Sequence, residues 1–423
     1  MPRTLQHPNR AQRTRSRKRR RRRPLSRKEA PGPGVVRVLA LSVYLPTLLA
    51  EIGVGATLPL FALSALALGE PAAVASIAVA VYSAGRMAGS ALGGVGATRR
   101  GPVPTTFAAY AVLASGAALS ATAVHVSVLA LGVAIIGIGH GGVHVARQAH
   151  IDAVAPLRIR ARSLTTLAGI WRIGNFVGPF VGAAIIFASG LPAAYVFAAS
   201  MVCLGILCLV FTAPRHLSIP RSQRPHVRVA EVLKPQMGVL STLGIGVLLM
   251  GALRQARVVV IPLWAVHIGM SDSGASLVFG LATAIDMAMF IPAGYVMDRF
   301  GRVWTAVPSA IALGAGAAML PMTSSPGQVA VAALIIGCGH GWGSGVVMTL
   351  GADAAPEKGK AVFLGAWSIL QDAGGLLGPV IVAAGAAIAL PLGFFAVGGV
   401  GVATAGTLYR FTPRWRLPDS SRA

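Results

Sequence analysis

Charged residues are scarce in this sequence, at 12% of 423 residues, and only 12 residues are Asp or Glu. Hydrophobic residues make up 55% and the mean hydropathy is +0.70, which is far more apolar than a soluble domain of this size. The only three cysteines, Cys203, Cys208 and Cys338, fall inside apolar runs. We expect them to be small core residues rather than a disulfide framework. These shortages exclude a water-soluble fold and indicate a polytopic membrane protein.

The apolar residues are grouped into twelve segments. Each has roughly 20 residues or more, enough to cross a hydrocarbon layer of about 30 Å as a helix. Helices are required because an isolated strand would leave its backbone polar groups unpaired in lipid. The predicted spans are 36–62, 72–97, 103–124, 126–150, 163–188, 192–213, 238–264, 273–297, 303–323, 327–351, 361–388 and 391–411. The sequence therefore predicts an all-α membrane protein with twelve transmembrane helices.

One stretch of sequence occurs twice, two hundred residues apart. Residues 135–141 read IIGIGHG and residues 335–341 read IIGCGHG, and the same offset joins Gly178-Pro179 to Gly378-Pro379. A repeat this long is typical of a duplicated half-protein rather than a solenoid. Duplicated apolar halves predict two pseudo-symmetric six-helix bundles, as in transporters whose halves rock about a site between them.

Among the loops between the predicted spans, Lys and Arg occur only in alternate ones. Pairs and clusters such as Arg99-Arg100 and Arg299 with Arg302 fall on the side of the amino terminus, whereas the loops around Glu70 and His125 contain no Lys or Arg. The positive-inside rule then predicts that both termini are cytoplasmic. We expect a multi-pass protein of the cell's inner (plasma) membrane.

The net charge of +25 is concentrated in these loops and in the amino-terminal tail. Residues 1–34 contain thirteen Lys or Arg, so we expect a disordered tail close to anionic lipid. A later translation start is one alternative. Binding of RNA or DNA is another, but no aromatic residues interleave the arginines, so we expect no specific nucleic acid partner. The predicted division is a tail at 1–34, a bundle at 35–213, a cytoplasmic linker at 214–237, a second bundle at 238–411 and a tail at 412–423.

Six charged residues lie near the middle of predicted spans, where each costs about 2.5 to 3.5 kcal/mol in lipid. Under the repeat, each position in one half corresponds to a residue of opposite sign in the other: Arg86 to Asp286, Arg172 to Asp372 and, at an offset of 203, Glu51 to Arg254. We predict that these residues line a central cavity, bind substrate or protons, and exchange partners as the halves rock. The alternative is that they form fixed structural ion pairs between helices.

A carboxylate in such a cavity can carry a proton, because desolvation favours its neutral form and a neighbouring Arg favours its charged form. The sequence leaves open which of the three carboxylates does so. His140 and His144 lie one turn apart but have no evident third metal ligand, so we predict no metal site. We expect His140 and His340 to be interhelical hydrogen-bonding residues, with a proton role as the alternative.

Glycines recur at every fourth position in three spans, a spacing that lets helix backbones approach closely in lipid. The three sets are Gly85, Gly89 and Gly93; Gly174, Gly178 and Gly182; and Gly337, Gly341 and Gly345. We predict that each set packs against a neighbouring helix.

The loop between spans 8 and 9 resembles the loop signature of the major facilitator superfamily. The residues that carry the resemblance are Gly294, Asp298, Arg299, Gly301 and Arg302. In that family the loop latches one conformation, which implies a gating role here; physically, Asp298 can accept hydrogen bonds from neighbouring helix amino termini. The copy between spans 2 and 3 has Thr98 where the motif has an acid. The resemblance covers about residues 36–411.

Residues 174–183 are similar to the helix 5 motif of the family's drug:proton antiporters, apart from Ala183 in place of the final Gly. The resemblance implies that Pro179 bends this helix and that Gly174 and Gly178 seal it against a neighbour. Arg147 lies near the wrong end of its predicted span to match the helix 4 Arg of that group.

The resemblance and the buried charges together predict a monomeric, proton-coupled secondary transporter that exports amphipathic small molecules. The alternative is a proton symporter that imports an organic anion or polar metabolite, held by Arg86, Arg172 and Arg254. The sequence has no Gly-x-x-x-x-Gly-Lys-Ser loop, so ATP-driven pumping is not expected. We find no nucleophile–base or metal constellation, and therefore expect neither an enzyme nor a cofactor.

Overall fold

The computed structural model describes residues 39–212, 229–357 and 359–412. The predicted tail at 1–34, most of the linker at 214–237 and nearly all of the tail at 412–423 lie outside the described residues. Within the described ranges the chain is helical and contains no strand, which confirms the predicted all-α class.

The first half contains six membrane-spanning helices. Gly190 (φ 81°, ψ 175°) interrupts the helical stretch Leu157–Thr212 and folds it into two antiparallel helices, a conformation that glycine adopts at low cost. The helices are α1 (Ala40–Ala67), α2 (Ala72–Arg99), α3 (Pro102–Ala121), α4 (Val126–Val154), α5 (157–189) and α6 (191–212).

The second half repeats this arrangement and brings the number of membrane crossings in the described ranges to twelve. Its helices are α7 (Met237–His267), α8 (Asp272–Phe300), α9 (Val303–Met319), α10 (Pro326–Ala354), α11 (Lys360–Ala386) and α12 (Leu390–Phe411). Turns repeat as well as helices, since Gly101 has φ 93° and Gly301 has φ 98°. The protein is thus a multi-pass membrane protein built from two related six-helix bundles.

Two sequence expectations about small residues are wrong. Gly345 (φ 83°) does not continue a glycine packing face, because it ends a break in α10 between Trp342 and Val346. Cys203 is exposed on the surface of α6, whereas Cys208 and Cys338 are half-buried, so none of the three is a fully buried core residue.

Large apolar side chains cover the outer surface of the bundles. Phe187 is 85% exposed, Ile388 81% and Val402 74%, which would be unfavourable in water and is expected for a surface facing lipid. The driving force for burial inside the bundles is therefore close packing of helices, for which small residues are needed.

The remaining glycines of the three sets do lie at close helix contacts. A Cβ atom added at Gly93 of α2 would lie 2.8 Å from the Cα atom of Gly142 of α4, and one at Gly341 of α10 would lie 2.8 Å from the Cα atom of Asp286 of α8. A Cβ atom at Gly178 of α5 would lie 2.6 Å from the backbone N of Ala56 of α1. These helix pairs are held at distances that only glycine permits.

Gly174→Ala is expected to lower the free energy of unfolding by about 1 to 3 kcal/mol, the usual cost of overpacking. The added methyl group would lie 2.9 Å from the carbonyl carbon of Glu51 and 3.0 Å from the N of Ile52, both backbone atoms of α1. The measurement is the thermal unfolding midpoint of the purified protein in detergent. Gly169→Ala in the same helix is the matched control, because no atom lies within 4 Å of its added methyl group. Equal midpoints for the two variants would contradict the prediction.

The two halves touch through α2 with α11 and through α5 with α8. Ser276 near the start of α8 donates a hydrogen bond to the carbonyl oxygen of Pro179 in α5 at 3.2 Å, and Gly280 of α8 faces the ring of Phe180. Both contacts lie in the half of the membrane opposite the side where α1 begins and α12 ends. The bundles are therefore in contact on that opposite side.

Candidate functional site

Glu51 of α1 lies at the centre of a buried polar cluster in the first half, with a side chain only 2% exposed. Arg147 of α4 donates to its Oε1 through Nη1 at 2.9 Å, and donates through Nε to the Tyr110 hydroxyl of α3 at 3.1 Å. Asn175 of α5 donates through Nδ2 to Glu51 Oε2 at 3.3 Å. Four helices of the same half are thus joined through one ion pair.

His140 of α4 extends this cluster towards α2. Its Nε2 lies 3.3 Å from Glu51 Oε2, and its Nδ1 lies 2.6 Å from the hydroxyl of Tyr82, one turn before Arg86. His140 therefore has the interhelical hydrogen-bonding position that the sequence predicted. His144 has different neighbours, Gln148 at 3.1 Å and the ring of Trp171 at 5.7 Å between centroids.

Asp286 of α8 is the centre of the second cluster. Its Oδ2 lies 2.8 Å from His340 Nδ1 of α10 and 3.9 Å from Arg257 Nη2 of α7. Its Oδ1 lies 3.5 Å from Arg172 Nη1 of α5, which belongs to the first half. One carboxylate therefore faces three basic side chains from three helices.

Arg254 of α7 binds a backbone carbonyl instead of a carboxylate. Its Nη1 donates to the carbonyl oxygen of Gly343 at 3.0 Å, at the break in α10. A cation at the carboxyl end of a helix segment interacts favourably with the unpaired carbonyls there. Among the described residues, no carboxylate lies within ion-pair distance of Arg254.

Two ion pairs join the halves at mid-depth. Arg86 of α2 donates through Nη2 to Asp372 Oδ1 of α11 at 2.6 Å, and Arg172 of α5 pairs with Asp286 of α8 at 3.5 Å. Because the repeat relates Arg86 to Asp286 and Arg172 to Asp372, each pair is the image of the other with the charges exchanged. These side chains are 12% to 28% exposed, whereas those of Arg147 and Glu51 are 5% and 2% exposed.

The six charged residues predicted from the sequence all lie near the middle of their helices, but they form three groups. Arg172, Arg254 and Asp286 come together, Arg86 pairs with Asp372, and Glu51 stands in the separate first cluster. The symmetry counterparts Glu51 and Arg254 have unrelated surroundings. Pairing follows contact between helices, not correspondence under the repeat.

Arg147, Arg257 and His340 complete the clusters. Neither arginine was predicted as a site residue, whereas His340 makes the interhelical hydrogen bond that the sequence predicted, to Asp286. The sequence placed Arg147 close to a helix end because the span was predicted to stop at residue 150, whereas α4 continues to Val154. Its spacing of three and seven residues from His144 and His140 was the available signal, since such residues share a helix face. Arg147 is 4% exposed and is the cation that compensates Glu51.

The loop between α8 and α9 differs in detail from its predicted contacts. In the part of the chain that the structure describes, the Asp298 side chain makes no hydrogen bond or ion pair, so the expected bonds to helix amino termini are absent. Arg302 instead donates through Nε to Asp353 Oδ2 near the end of α10 at 2.9 Å, and Arg299 donates to the Tyr295 hydroxyl. Gly294 has open space around it and Gly301 provides the turn.

The sequence matches the family described as Major Facilitator Superfamily over residues 43–379 and again over residues 243–420. No curated protein sequence shows significant similarity to the chain. Solved structures similar to it include a mutant of the nucleoside transporter NupG (12% identity, TM-score 0.72, 88% of this chain and 100% of that one). A D-xylose-proton symporter has 19% identity and a TM-score of 0.65, covering 90% of this chain and 98% of that one. A POT family transporter in complex with 5-aminolevulinic acid has 11% identity and a TM-score of 0.69, covering 90% and 96%.

Proposed function

Because the chain belongs to the Major Facilitator Superfamily, we propose that it is a proton-coupled secondary transporter whose substrate site lies between the halves, beside Asp286. In this proposal the halves rock about that site, and the two ion pairs between them are the contacts that open and close. Asp286 and Asp372 carry the proton. The observation that supports this proposal most directly is that two ion pairs at mid-depth, Arg86 with Asp372 and Arg172 with Asp286, correspond under the repeat with their charges exchanged.

The position of each ion pair determines whether it can take part in rocking. Glu51 and Arg147 belong to the same half, so a rigid movement of that half leaves them in contact. Arg86 with Asp372 and Arg172 with Asp286 belong to different halves, so separation of the halves must break them. This difference supports a structural role for Glu51 and a conformational role for the other two pairs.

Proton coupling follows from the loss of a cation. When Asp372 separates from Arg86, or Asp286 from Arg172, the carboxylate loses a positive neighbour while remaining shielded from bulk water, and both changes favour its protonated form. Proton coupling is also named for the D-xylose-proton symporter whose structure resembles that of this chain. Glu51 keeps Arg147 throughout and is not the proton carrier.

Two candidate directions remain, each favoured by a different observation. Export of amphipathic small molecules in exchange for protons is favoured by the resemblance of residues 174–183 to the helix 5 motif of drug:proton antiporters. Symport of a polar or anionic metabolite is favoured by the surplus of arginines around Asp286. If both termini are cytoplasmic, as the positive-inside rule predicts, the side on which Ser276 contacts Pro179 is the external one.

The test of function is transport by purified protein in proteoliposomes with an imposed pH gradient. A panel of neutral, cationic and anionic small molecules is screened while internal pH is recorded with a trapped dye. We expect substrate movement that requires the gradient; protons moving against the substrate indicate export, and protons moving with it indicate symport. Equal substrate fluxes with and without the gradient would contradict proton coupling.

Reversing one charge between α2 and α11 is expected to shift the conformational equilibrium. Arg86→Asp or Asp372→Arg alone replaces attraction by repulsion across a 2.6 Å contact, and we expect transport to fall about tenfold or more. The double variant restores an ion pair of opposite polarity and should recover most of the activity. Cross-linking between cysteines introduced on α2 and α11 should likewise fall in the single variants and recover in the double variant. A double variant no better than either single variant would contradict a direct pairing role.

A further inference from the structure

We infer that the transported molecule carries an anionic group, a carboxylate or phosphate, and that Arg257 and Arg254 of α7 bind that group. This inference rests on the proposed transport function and adds the chemical class of the substrate. It comes from an imbalance between hydrogen-bond donors and acceptors that is specific to the second cluster.

In the part of the chain that the structure describes, Asp286 is the one carboxylate within ion-pair distance of the arginines of this cluster. Arg172 lies 3.5 Å away and Arg257 lies 3.9 Å away; neither contact is a hydrogen bond, since Asp286 Oδ1 has no hydrogen-bond partner and the second distance is too long. Arg254 donates to the carbonyl of Gly343. Among the described residues, three arginines therefore share a single negative charge, and at least one positive charge is left without an anion.

The unpaired donors belong to Arg257. Its Nε and Nη1 are buried without a hydrogen-bond partner among the described residues, and the residue is only 9% exposed. Arg147 in the other half is the internal comparison, because it is equally buried but its guanidinium is bonded to Glu51 and Tyr110. A buried cation left without hydrogen bonds is costly, and a ligand oxygen is the chemical group that would satisfy it. The fold thus satisfies the hydrogen-bond donors of Arg147 and leaves two donors of Arg257 unsatisfied.

The neighbours of Arg257 define what kind of anion fits. Arg254 is one turn away on α7 and is less buried, so it forms the accessible end of the pair. Phe279 lies beside Arg257, with its ring centroid 5.5 Å from the guanidinium carbon, and Phe290 lies 4.2 Å from that of Arg172. Planar guanidinium groups bind carboxylate and phosphate oxygens in pairs, and the half-buried ring of Phe290 suits an apolar or aromatic body, whereas Phe279 is fully buried. A small organic anion meets both requirements, whereas an organic cation would be repelled.

The first test compares small aromatic compounds that differ in charge. Purified full-length protein in detergent is titrated with benzoate, phenyl phosphate, benzamide and benzylamine at fixed pH and ionic strength, and the thermal unfolding midpoint is recorded. We expect at least one of the two anions to raise the midpoint in a saturable manner, while the amide and the amine do not. A preference for benzoate or for phenyl phosphate identifies carboxylate or phosphate. Midpoints that respond to neither anion, or equally to the amide, would overturn the inference.

The second test removes the hydrogen-bond donors of Arg257 by substitution. Arg257→Gln should weaken anion binding about tenfold or more, and Arg257→Lys should have an intermediate effect because it keeps charge but loses the paired donors. Arg410→Gln at the exposed end of α12 removes the same charge away from the site and should bind as the wild type does. Unchanged affinity in both Arg257 variants would overturn the inference. If Arg257→Gln fails to fold, the Lys variant and the wild-type comparison of benzoate with benzamide decide it.

Transport measurements separate this inference from the function on which it rests. If the gradient drives movement of neutral or cationic compounds but not of anions, the inference of an anionic substrate is wrong and the proposed transport function is still supported. Failure of every compound to move under any gradient would overturn the proposed function itself. Anion movement that is lost in Arg257→Gln and kept in Arg410→Gln supports both.

Discussion

Asp286→Asn is expected to reduce proton-driven transport by about a hundredfold or more. The carboxylate faces Arg172, Arg257 and His340, and its loss leaves buried cations without an anion. Breaking a buried pair in this way costs about 3 to 5 kcal/mol, and each 1.4 kcal/mol corresponds to a factor of ten. The same change removes a proposed proton carrier, so coupling to the pH gradient should disappear together with the ion pair between Arg172 of α5 and Asp286 of α8.

Two measurements distinguish loss of coupling from loss of the fold. Substrate exchange across the membrane without a pH gradient should persist in Asp286→Asn protein that remains folded, whereas accumulation driven by the gradient should not. Asp152→Asn is the control, because the pair of Asp152 with Arg160 is largely exposed and such pairs contribute about 0 to 1 kcal/mol. Gradient-driven accumulation by Asp286→Asn at the wild-type level would refute the role assigned to this carboxylate.

Glu51→Gln is expected to lower the free energy of unfolding by about 3 to 5 kcal/mol while leaving the pH dependence of transport unchanged. Glu51 and Arg147 are both almost fully buried, and neutralising one of them leaves the other uncompensated. Because the pair lies within one half, its loss affects the packing of α1 with α4 rather than the contact between halves. The readouts are the thermal unfolding midpoint and the pH profile of transport by the folded fraction.

The double variant Glu51→Gln/Arg147→Met provides the matched control for that prediction. Replacing both members of a buried ion pair by uncharged residues of similar volume is often neutral, whereas removing one is not. The double variant should therefore be more stable than Glu51→Gln alone. A Glu51→Gln protein with a normal midpoint and an altered pH profile would show instead that Glu51 carries the proton.

Several features of the fold could be read from composition and local pattern. The twelve spans follow from lengths of apolar sequence, and the two bundles follow from the repeat, because backbone hydrogen bonding in lipid leaves few other structures. The break at Gly345 and the exposed Cys203 were missed because neither depends on local hydrophobicity. The extension of α4 from residue 150 to Val154, which moves the helix end further from Arg147, was missed because polar residues there looked like a loop.

The fold does not distinguish an antiporter from a symporter. The glycines of α5 pack against α1 within the same half, a contact that a symporter or an antiporter can use equally well. Export, exchange for protons and the identity of the substrate therefore stay predictions, to be tested by the direction of proton movement.

The sequence alone identified six charged residues near the middle of the spans, and the opposite signs that the two halves present at matching positions. It could do so because hydrophobic length and a long repeat are properties of the chain itself. Only the tertiary structure decided the partners: Arg86 with Asp372, Asp286 with Arg172, and Glu51 with Arg147. Partners depend on which helices touch, and in this fold α2 meets α11 while α5 meets α8, so residues related by the repeat stand apart and residues unrelated by it come together.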